Sequence, residues 1–253
     1  MTRKIIIFAK APILGEVKTR LEQSSYLGKP LIKELYSAFL KDTIYIASKS
    51  KADRINIHYT PVGSIEIFEE LIKSAPIGDK DRINFYPQIS GSFSDKIAHS
   101  FKLENDASKG DAVIMIGADS PLIKPSILDD ALDFIVEHQG MVVGPAADGG
   151  LYLLGGYSKL KINYSLLFRQ GCELGNFVDE AKRLMARLKV METIIDIDVA
   201  SDLLTLIDIS KAEEYQYGTT RFMKESVKIL KDLNLKLIKD KDNNRLLQLQ
   251  PSR

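Results

Sequence analysis

A basic loop near the N-terminus contains residues suited to binding phosphate. It follows the apolar run IIIFA (5–9) and includes Lys10, Pro12, Gly15, Lys18 and Arg20. The amide N–H groups of a glycine-bearing loop can point at phosphate oxygens, and Lys18 and Arg20 could neutralise a diphosphate. The spacing fits neither a Walker A motif nor the dinucleotide-binding Gly-x-Gly-x-x-Gly. A solvated turn with ordinary surface lysines is therefore the alternative.

One carboxylate, Asp119, follows an apolar run that is typical of a central strand buried on both faces, AVIMI (112–116). Ligands of open α/β sheets bind at the carboxyl ends of such strands. Magnesium commonly takes one or two protein carboxylates and completes its shell with substrate phosphates and water. Asp119 is therefore a candidate metal ligand, and capping of the following turn is the alternative.

A second acidic motif, Asp196-Ile197-Asp198, also follows an apolar run. In an extended chain the two carboxylates face the same side, because side chains alternate along a strand. One of them could be a second metal ligand opposite Asp119. Taken alone, a helix cap near Ala200 explains the motif more simply.

A third motif, Asp148-Gly149-Gly150, separates two short apolar runs. Asp-Gly sequences are typical of hairpin turns, so a plain β-turn is the simplest explanation of this one. Its occurrence together with Asp119 and the Asp196 motif, all at predicted strand ends, favours a shared site.

The composition excludes several classes of protein. The chain has 253 residues, with 35 Lys and Arg against 34 Asp and Glu, which disfavours a protein that coats nucleic acid. No apolar stretch approaches the roughly 20 residues of a membrane span. Cys172 is the single cysteine, and the three histidines lack ligand spacing, so disulfide scaffolds and zinc modules are excluded. We expect a soluble, cytoplasmic protein.

The elements that must position these residues alternate between strand and helix. Apolar runs predict strands at 4–9, 54–59, 82–86, 112–116, 141–143, 151–154 and 190–197. Helical spacing predicts helices at 30–49, 65–73, 94–103, 125–138, 171–188 and 200–209. This alternation predicts one α/β domain over residues 1–209, with a mixed, mostly parallel sheet flanked by helices.

A basic extension follows at residues 210–253. From Arg221 to Arg245 there are eight Lys or Arg and four Asp or Glu. Apolar residues recur three to four positions apart and predict a helix, at Val227, Leu230, Leu233 and Leu237. This helix could pack on its own domain, form a homodimer or contact an acidic surface.

Four segments together resemble a known family: FAKAPILGEVKTRL (8–21), GADSPLIKPSILDDAL (117–132), GPAADGGLYLLGG (144–156) and DIDVASDL (196–203). They look like the SpsA-like, or radical-SAM/selenodomain-associated, transferases of the glycosyltransferase-A (nucleotide-diphospho-sugar transferase) superfamily. The resemblance spans about residues 3–207. The chain is also similar to guanylyltransferases that make molybdenum and deazaflavin cofactors. A single Rossmann-like glycosyltransferase-A domain is the implied fold.

The resemblance implies roles for individual residues. A nucleotide or nucleotide-sugar donor would lie over the first strand and its loop, contacting Ala9, Lys10, Pro12, Gly15, Lys18, Arg20 and Gly117. A divalent metal, Mg²⁺ or Mn²⁺, would be held by Asp119 with Asp196 and Asp198. Gly149 and Gly150 would line the acceptor side, where Asp148 is the candidate base and Lys18 the catalytic cation.

Two segments depart from the pattern of the family. Where the family has a Trp-Ser pair near the acceptor, this chain has Cys172-Glu173-Leu174 and no tryptophan at all. The segment QISGSFS (88–94) keeps a glutamine and a glycine but lacks the usual acidic and basic residues of that block. The acceptor, a small molecule or a glycan, is therefore not identified by the resemblance.

Three functions are consistent with these observations. The first is metal-dependent transfer of a sugar from a nucleoside diphosphate sugar. The second is nucleotidyl transfer from a triphosphate to a phosphorylated small molecule, with release of pyrophosphate. The third is nucleotide binding without catalysis. The leaving group distinguishes the first two, because sugar transfer releases a nucleoside diphosphate and nucleotidyl transfer releases pyrophosphate.

Overall fold

The computed structural model describes residues 1–25, 27–105, 110–168, 171–232, 235–239 and 247–251. The strands in these ranges are β1 (Arg3–Lys10), β2 (Arg54–Thr60), β3 (Ile83–Pro87), β4 (Ala112–Gly117), β5 (Met141–Pro145), β6 (Leu151–Tyr157), β7 (Leu188–Val190), β8 (Leu235–Lys239) and β9 (Leu247–Pro251). The helices are α1 (Thr19–Gln23), α2 (Lys29–Ser48), α3 (Ile65–Ser74), α4 (Phe93–Glu104), α5 (Pro125–His138), α6 (Tyr164–Leu167), α7 (Glu173–Arg183), α8 (Ala200–Tyr217) and α9 (Lys224–Asp232).

Seven strands form one sheet in the order β3-β2-β1-β4-β6-β5-β7. β1 pairs in parallel with β2 and β4, whereas β6 runs antiparallel to β4 and β5. The chain first extends the sheet from β1 towards β3 and then continues from β4 on the opposite side of β1. Such a reversal opens a crevice at the carboxyl ends of the two central strands. The predicted mixed, mostly parallel sheet is confirmed.

Helices cover both faces of the sheet. Along β1, Ile5 and Ile7 face a cluster built with α2, α3 and α5, while Ile6 faces a cluster built with α4, α6 and α7. Fully burying one such aliphatic side chain stabilises the fold by about 1.5–3 kcal/mol. A third cluster joins α1, α2, α8 and α9 and contains Leu21, three residues after Lys18. The loop after β1 is thereby anchored on its helical side.

The prediction of a last strand over 190–197 is wrong. β7 ends at Val190, and beyond it the chain makes one isolated bridge, between Ala146 and Ile194. The chain leaves the sheet because Ile197 is fully buried in the cluster of α1, α2, α8 and α9 rather than on a sheet face. This departure brings Asp196 and Asp198 away from the sheet edge and over the end of β4.

The C-terminal elements differ from the predicted helix in two respects. Helix α8 extends to Tyr217, so the expected boundary between 209 and 210 falls inside it. Leu237 lies in β8, which pairs with β9, and it follows Leu235 at two positions, which is the period of a strand rather than of a helix. Val227 and Leu230 are in α9, as predicted, and Leu233 lies outside the described residues.

Helix α9 packs on its own domain. Val227 and Leu230 are buried in the cluster with α2 and α8. Asp42 of α2, which is 2% exposed, accepts hydrogen bonds from the backbone N–H groups of Glu225 and Ser226 at 3.0 and 2.9 Å. The Ser226 hydroxyl donates a third, at 2.5 Å. Within the described part of the chain, no helix combines the length and the apolar character that crossing a membrane requires.

Candidate functional site

A cleft of about 500 Å³ lies at the carboxyl ends of β1, β2 and β4. This is the crevice expected from the reversal of strand order between β1 and β4. Its walls include six residues singled out in the sequence, namely Ala9, Lys10, Gly117, Asp119, Gly150 and Asp196.

The loop after β1 is ordered by buried anchors. Ala11 is fully buried, and its N–H donates to the Thr60 carbonyl at 2.7 Å, which fixes the loop beside the end of β2. Pro12 is also buried, and Gly15 adopts a φ of 76°, a left-handed conformation that favours glycine. Pro12 and Gly15 thus shape the loop, while Lys10 at its start reaches the cleft.

Lys18 is held between two carboxylates. Its Nζ lies 2.8 Å from Asp119 Oδ2 and 2.6 Å from Asp198 Oδ1, and its side chain is only 6% exposed. Burial alone would lower the pKa of the Lys18 ammonium, but the charges of Asp119 and Asp198 outweigh it and raise the pKa. Lys18 is therefore charged and is not an ordinary surface lysine.

The peptide backbone positions Asp198 opposite Asp119. The Ile197 N–H donates to the Asp119 carbonyl at 3.1 Å, which joins the segment before α8 to the end of β4. Asp202 Oδ2 accepts the N–H groups of Asp198 and Val199, each at 2.9 Å. Asp202 thus caps α8, and the Asp198 side chain is free to face Lys18.

Asp196 lines the cleft beside this ion cluster. Its Oδ1 accepts a hydrogen bond from the Ser120 hydroxyl. Burial, followed by repulsion from the Asp119 carboxylate, raises the pKa of Asp196 to about 7. Asp196 and Asp198 are therefore near the same site, but Lys18 hydrogen bonds only to Asp198 of the two.

Residues 148–150 form a turn, which was the simplest explanation of the Asp148-Gly149-Gly150 motif. Asp148 is exposed, and its Oδ1 accepts the Gly150 N–H at 2.9 Å, while Gly149 adopts a φ of 97°. This is an Asx-type turn. Gly150 lines the cleft at the start of β6. The role of Asp148 as a base stays a prediction.

The other predicted cations differ in how firmly they are held. Lys10 Nζ donates to the Glu16 carbonyl at 2.8 Å, and its side chain is 44% exposed. Arg20 Nη1 lies 3.4 Å from Asp198 Oδ2, and its side chain is 74% exposed. The Lys10 ammonium and the Arg20 guanidinium are thus both accessible to an anionic ligand at the loop.

Gly117 makes room for the Asp119 side chain. A Cβ at Gly117 would stand 2.8 Å from Asp119 Oδ1, which is closer than side chains normally approach. A glycine at this point of β4 therefore allows the carboxylate to turn back towards Lys18.

Several residues of the cleft were not singled out as site residues from the sequence. Tyr36 of α2 hydrogen bonds with its hydroxyl to both the N–H and the carbonyl of Lys10, and Gln88 donates to the His58 carbonyl at 2.7 Å. On the opposite wall, Phe93 contacts Phe168 edge-to-face with ring centroids 5.1 Å apart. Lys96 and Glu173 complete that wall.

The sequence signal for this wall was weak. Phe93 and Lys96 follow the carboxyl end of β3, so the rule that ligands bind at strand ends identifies their region. No such rule identifies Tyr36, because it belongs to the buried stripe of α2.

The carboxylates of Asp119 and Asp198 are the candidate ligands for a divalent cation. Among the described residues there is no group of three or more His, Cys, Asp or Glu side chains suited to a metal. Asp119 and Asp198 nevertheless direct one oxygen each to a common point, where Lys18 Nζ lies. Because Mg²⁺ needs only one or two carboxylates when phosphates supply the remaining ligands, this pair fits a cation bound jointly with a nucleotide.

Comparisons with known proteins agree with the fold. A family model described as an uncharacterized protein conserved in bacteria (DUF2064) matches residues 48–170. A comparison with curated proteins gave no match. A candidate nucleotide-diphospho-sugar transferase from Desulfovibrio desulfuricans is similar in structure, with a TM-score of 0.74 and 22% identity over 92% of this chain and 98% of that one.

Two further solved structures share the architecture. A nucleotidyl transferase from Methanothermobacter thermautotroptrophicus has a TM-score of 0.56 and 16% identity, over 82% of this chain and 97% of that one. The 4-diphosphocytidyl-2C-methyl-D-erythritol synthase from Anaerococcus prevotii has a TM-score of 0.51 and 13% identity, over 81% and 95%. The chain therefore has the fold that these transferases use.

Proposed function

We propose that this protein is a nucleotide-dependent transferase that binds a nucleoside diphosphate sugar and transfers the sugar to an acceptor. One observation carries the proposal. At the point where strand order reverses, a cleft large enough for a small ligand is bordered by a cationic loop and by carboxylates that converge on one cation. The four segments that resemble SpsA-like transferases contribute this loop and these carboxylates.

The chain's own residues would act on the donor diphosphate. Lys10, Lys18 and Arg20 supply positive charge between the end of β1 and the start of α1, so they can neutralise the phosphates and stabilise charge that develops on the leaving diphosphate. Asp119 and Asp198 would hold Mg²⁺ or Mn²⁺, which when bound supplies further neutralisation of that diphosphate. Tyr36 keeps the start of the loop in place through its two hydrogen bonds to Lys10.

The acceptor would enter from the wall formed by Gly150, Phe168 and Glu173. Inverting transfer needs a base that removes the proton of the attacking hydroxyl. Asp148, with Gly149 and Gly150 beside it, is the candidate from the sequence. Glu173 is the second candidate, because its carboxylate belongs to a residue of the cleft wall itself. Comparing Asp148→Asn with Glu173→Gln separates them, because only loss of the base should lower turnover without weakening donor binding.

Nucleotidyl transfer is the second candidate. It is supported by the fold shared with the Methanothermobacter nucleotidyl transferase and the Anaerococcus cytidylyl enzyme. The same cationic loop could hold a triphosphate, and pyrophosphate would then be the leaving group.

Product analysis tests the proposal. The protein is incubated in Mg²⁺ or Mn²⁺ with each common nucleoside diphosphate sugar and a set of hydroxyl acceptors, or with each triphosphate and a set of phosphorylated sugars. Release of a nucleoside diphosphate that Asp119→Ala does not catalyse supports sugar transfer. Release of pyrophosphate alone supports nucleotidyl transfer. Nucleotide binding without either product would support a non-catalytic binding protein.

A further inference from the structure

Lys18 has one ammonium group and two kinds of possible anionic partner. In the structure both hydrogen-bonded partners are carboxylates, Asp119 and Asp198, and the side chain is almost entirely buried between them. The proposed function gives the same ammonium a second partner, the donor diphosphate. The carboxylates take two of the three N–H donors of this ammonium, so it can pair fully with the phosphates only if it is released from the carboxylates.

The position of Lys18 Nζ identifies what could release it. The nitrogen lies 2.8 Å and 2.6 Å from the two carboxylate oxygens that would hold a divalent cation. A magnesium ion on the same oxygens would sit about 2.0–2.1 Å from each. Ion and ammonium would then overlap almost completely, and like charges at that separation repel strongly. The two cations therefore exclude each other from the Asp119–Asp198 pair.

We propose that Lys18 is the resident cation of the Asp119–Asp198 pair, and that a divalent metal displaces it and so frees its ammonium for the donor diphosphate. Two consequences follow. Without nucleotide, the metal binds weakly because it must displace an ion pair. With a diphosphate present, the displaced ammonium gains a new partner, so metal and diphosphate strengthen each other's binding by the same factor.

The surrounding residues allow this exchange. Lys has a flexible four-carbon stem and can move its charge without movement of the backbone. Arg20 also contacts Asp198, but at 3.4 Å and with a largely exposed side chain, so it does not hold that carboxylate in the way that Lys18 does. Asp119 and Asp198 are 35% and 30% exposed, so solvent can reach both, and Asp119 also lines the cleft.

The first half of the proposal is tested with Mn²⁺ alone, titrated into nucleotide-free protein and followed by electron paramagnetic resonance of the free ion. Lys18→Met should bind Mn²⁺ roughly tenfold more tightly than the wild type, within the range typical of coupled sites. The control is Lys10→Met, which removes the same charge from the same loop but touches neither carboxylate; it should bind Mn²⁺ like the wild type.

Two further variants guard the interpretation. Lys18→Gln should reproduce the tighter binding, and adding Asp119→Asn to Lys18→Met should abolish it. Circular dichroism melting in EDTA establishes that each variant is folded. Equal Mn²⁺ affinity in the wild type and both Lys18 variants, or an equal gain in Lys10→Met, would overturn the proposal.

The second half rests on the proposed function and uses pyrophosphate as the probe, in EDTA, by calorimetry. Asp119→Asn should bind pyrophosphate severalfold more tightly than the wild type, because Lys18 loses a competing partner. Glu173→Gln, which removes a cleft charge away from Lys18, should not. If pyrophosphate and nucleotides bind to no variant, the proposed function fails, while the Mn²⁺ titration still decides whether Lys18 is the resident cation.

Discussion

Carboxylates in two regions of this molecule are paired with different kinds of donor, those at the start of α9 and the ammonium of Lys18. At the contact between α2 and α9, Asp42 is 2% exposed and accepts three hydrogen bonds from the start of α9. Beside the cleft, Asp119 and Asp198 are about a third exposed and share the ammonium of Lys18. The first carboxylate is bonded to groups that cannot leave, and the second pair is bonded to a side chain that can.

This difference separates a structural carboxylate from one suited to ligand exchange. Removing Asp42 leaves the N–H groups of Glu225 and Ser226 buried without an acceptor, and such unsatisfied groups are costly. Removing Lys18 leaves two carboxylates that water can reach. The Asp42 contact should therefore govern stability, and the Lys18 cluster should govern ligand binding.

The largest expected effect is the loss of kcat/KM when Lys18, which pairs with Asp119 and Asp198, is replaced. Lys18→Met should lower kcat/KM for the donor by about 10²–10³, the range typical of removing one group that stabilises a developing anion. The free energy of unfolding should change little beside that loss, because water can reach both remaining carboxylates, which are 35% and 30% exposed. Steady-state kinetics and urea unfolding at one temperature measure both. A variant that loses stability rather than turnover would reverse the assignment.

The next effect concerns pH and the α9 contact. Burial raises the pKa of Asp42 to about 6, against 3.8 as its ordinary value, although the hydrogen bonds from Ser226 and Glu225 oppose the rise. The folded state then binds the proton more tightly than the unfolded state, so the contribution of Asp42 to stability falls as pH rises. Relative to Asp42→Asn, the wild type should lose up to about 3 kcal/mol of stability between pH 4 and pH 7.

Urea unfolding of the two proteins across that range checks this expectation. Since the wild type and Asp42→Asn differ only at this residue, subtraction removes the contribution of other titrating groups, including Asp196. A relative stability that increases with pH would show that the helix N-terminus outweighs burial at this site.

Deleting the Asp42 carboxylate should have a smaller effect than the two changes above, and it should alter the free energy of unfolding without altering donor binding. Asp42→Ala is expected to lower the free energy of unfolding by about 1–3 kcal/mol, because two backbone N–H groups lose their acceptor. Donor affinity below the melting temperature should stay within twofold of wild type. Asp208→Ala is the matched control, since Asp208 is 75% exposed and its ion pair within the described ranges is with Lys211, at 3.4 Å. It should change stability by less than about 0.5 kcal/mol.

The smallest effect is expected at Arg20. Its guanidinium is 74% exposed and lies 3.4 Å from Asp198, so the pair is worth less than about 1 kcal/mol. Arg20→Ala should weaken donor binding by less than about fivefold in calorimetry. A loss as large as that of Lys18→Met would mean that Arg20, not Lys18, is the main phosphate contact.

Local patterns in the sequence were sufficient to predict the mixed sheet and the motifs at its strand ends. The loop after β1, the apolar run before Asp119 and the turn at Asp148 are each about ten residues long or shorter, so each can be recognised from neighbouring residues. The rule that ligands bind at the carboxyl ends of strands then places them at one edge of the sheet. The pairing of Lys18 could not be predicted, because its partners Asp119 and Asp198 lie 101 and 180 residues away in sequence. Tertiary packing alone brings them together.

Tertiary packing also explains the wrong prediction at residues 190–197 and the contact of Asp42 that was not predicted. The apolar residues within 190–197 predict a strand, but Ile197 is buried in the cluster of α1, α2, α8 and α9, so the chain leaves the sheet early. The contact of Asp42 with α9 was also not predicted, because an acidic residue in a long amphipathic helix gives no sign of a partner 184 residues away.

The most direct test of the account is calorimetric titration of nucleoside diphosphate sugars and triphosphates, with Mg²⁺, into the wild type, Asp119→Ala and Asp42→Ala. At least one nucleotide should bind the wild type and Asp42→Ala equally, and it should bind Asp119→Ala more weakly in Mg²⁺, because that variant loses a metal ligand. If no nucleotide binds the wild type, or if one binds Asp119→Ala as tightly, the cleft is not the nucleotide site of this protein.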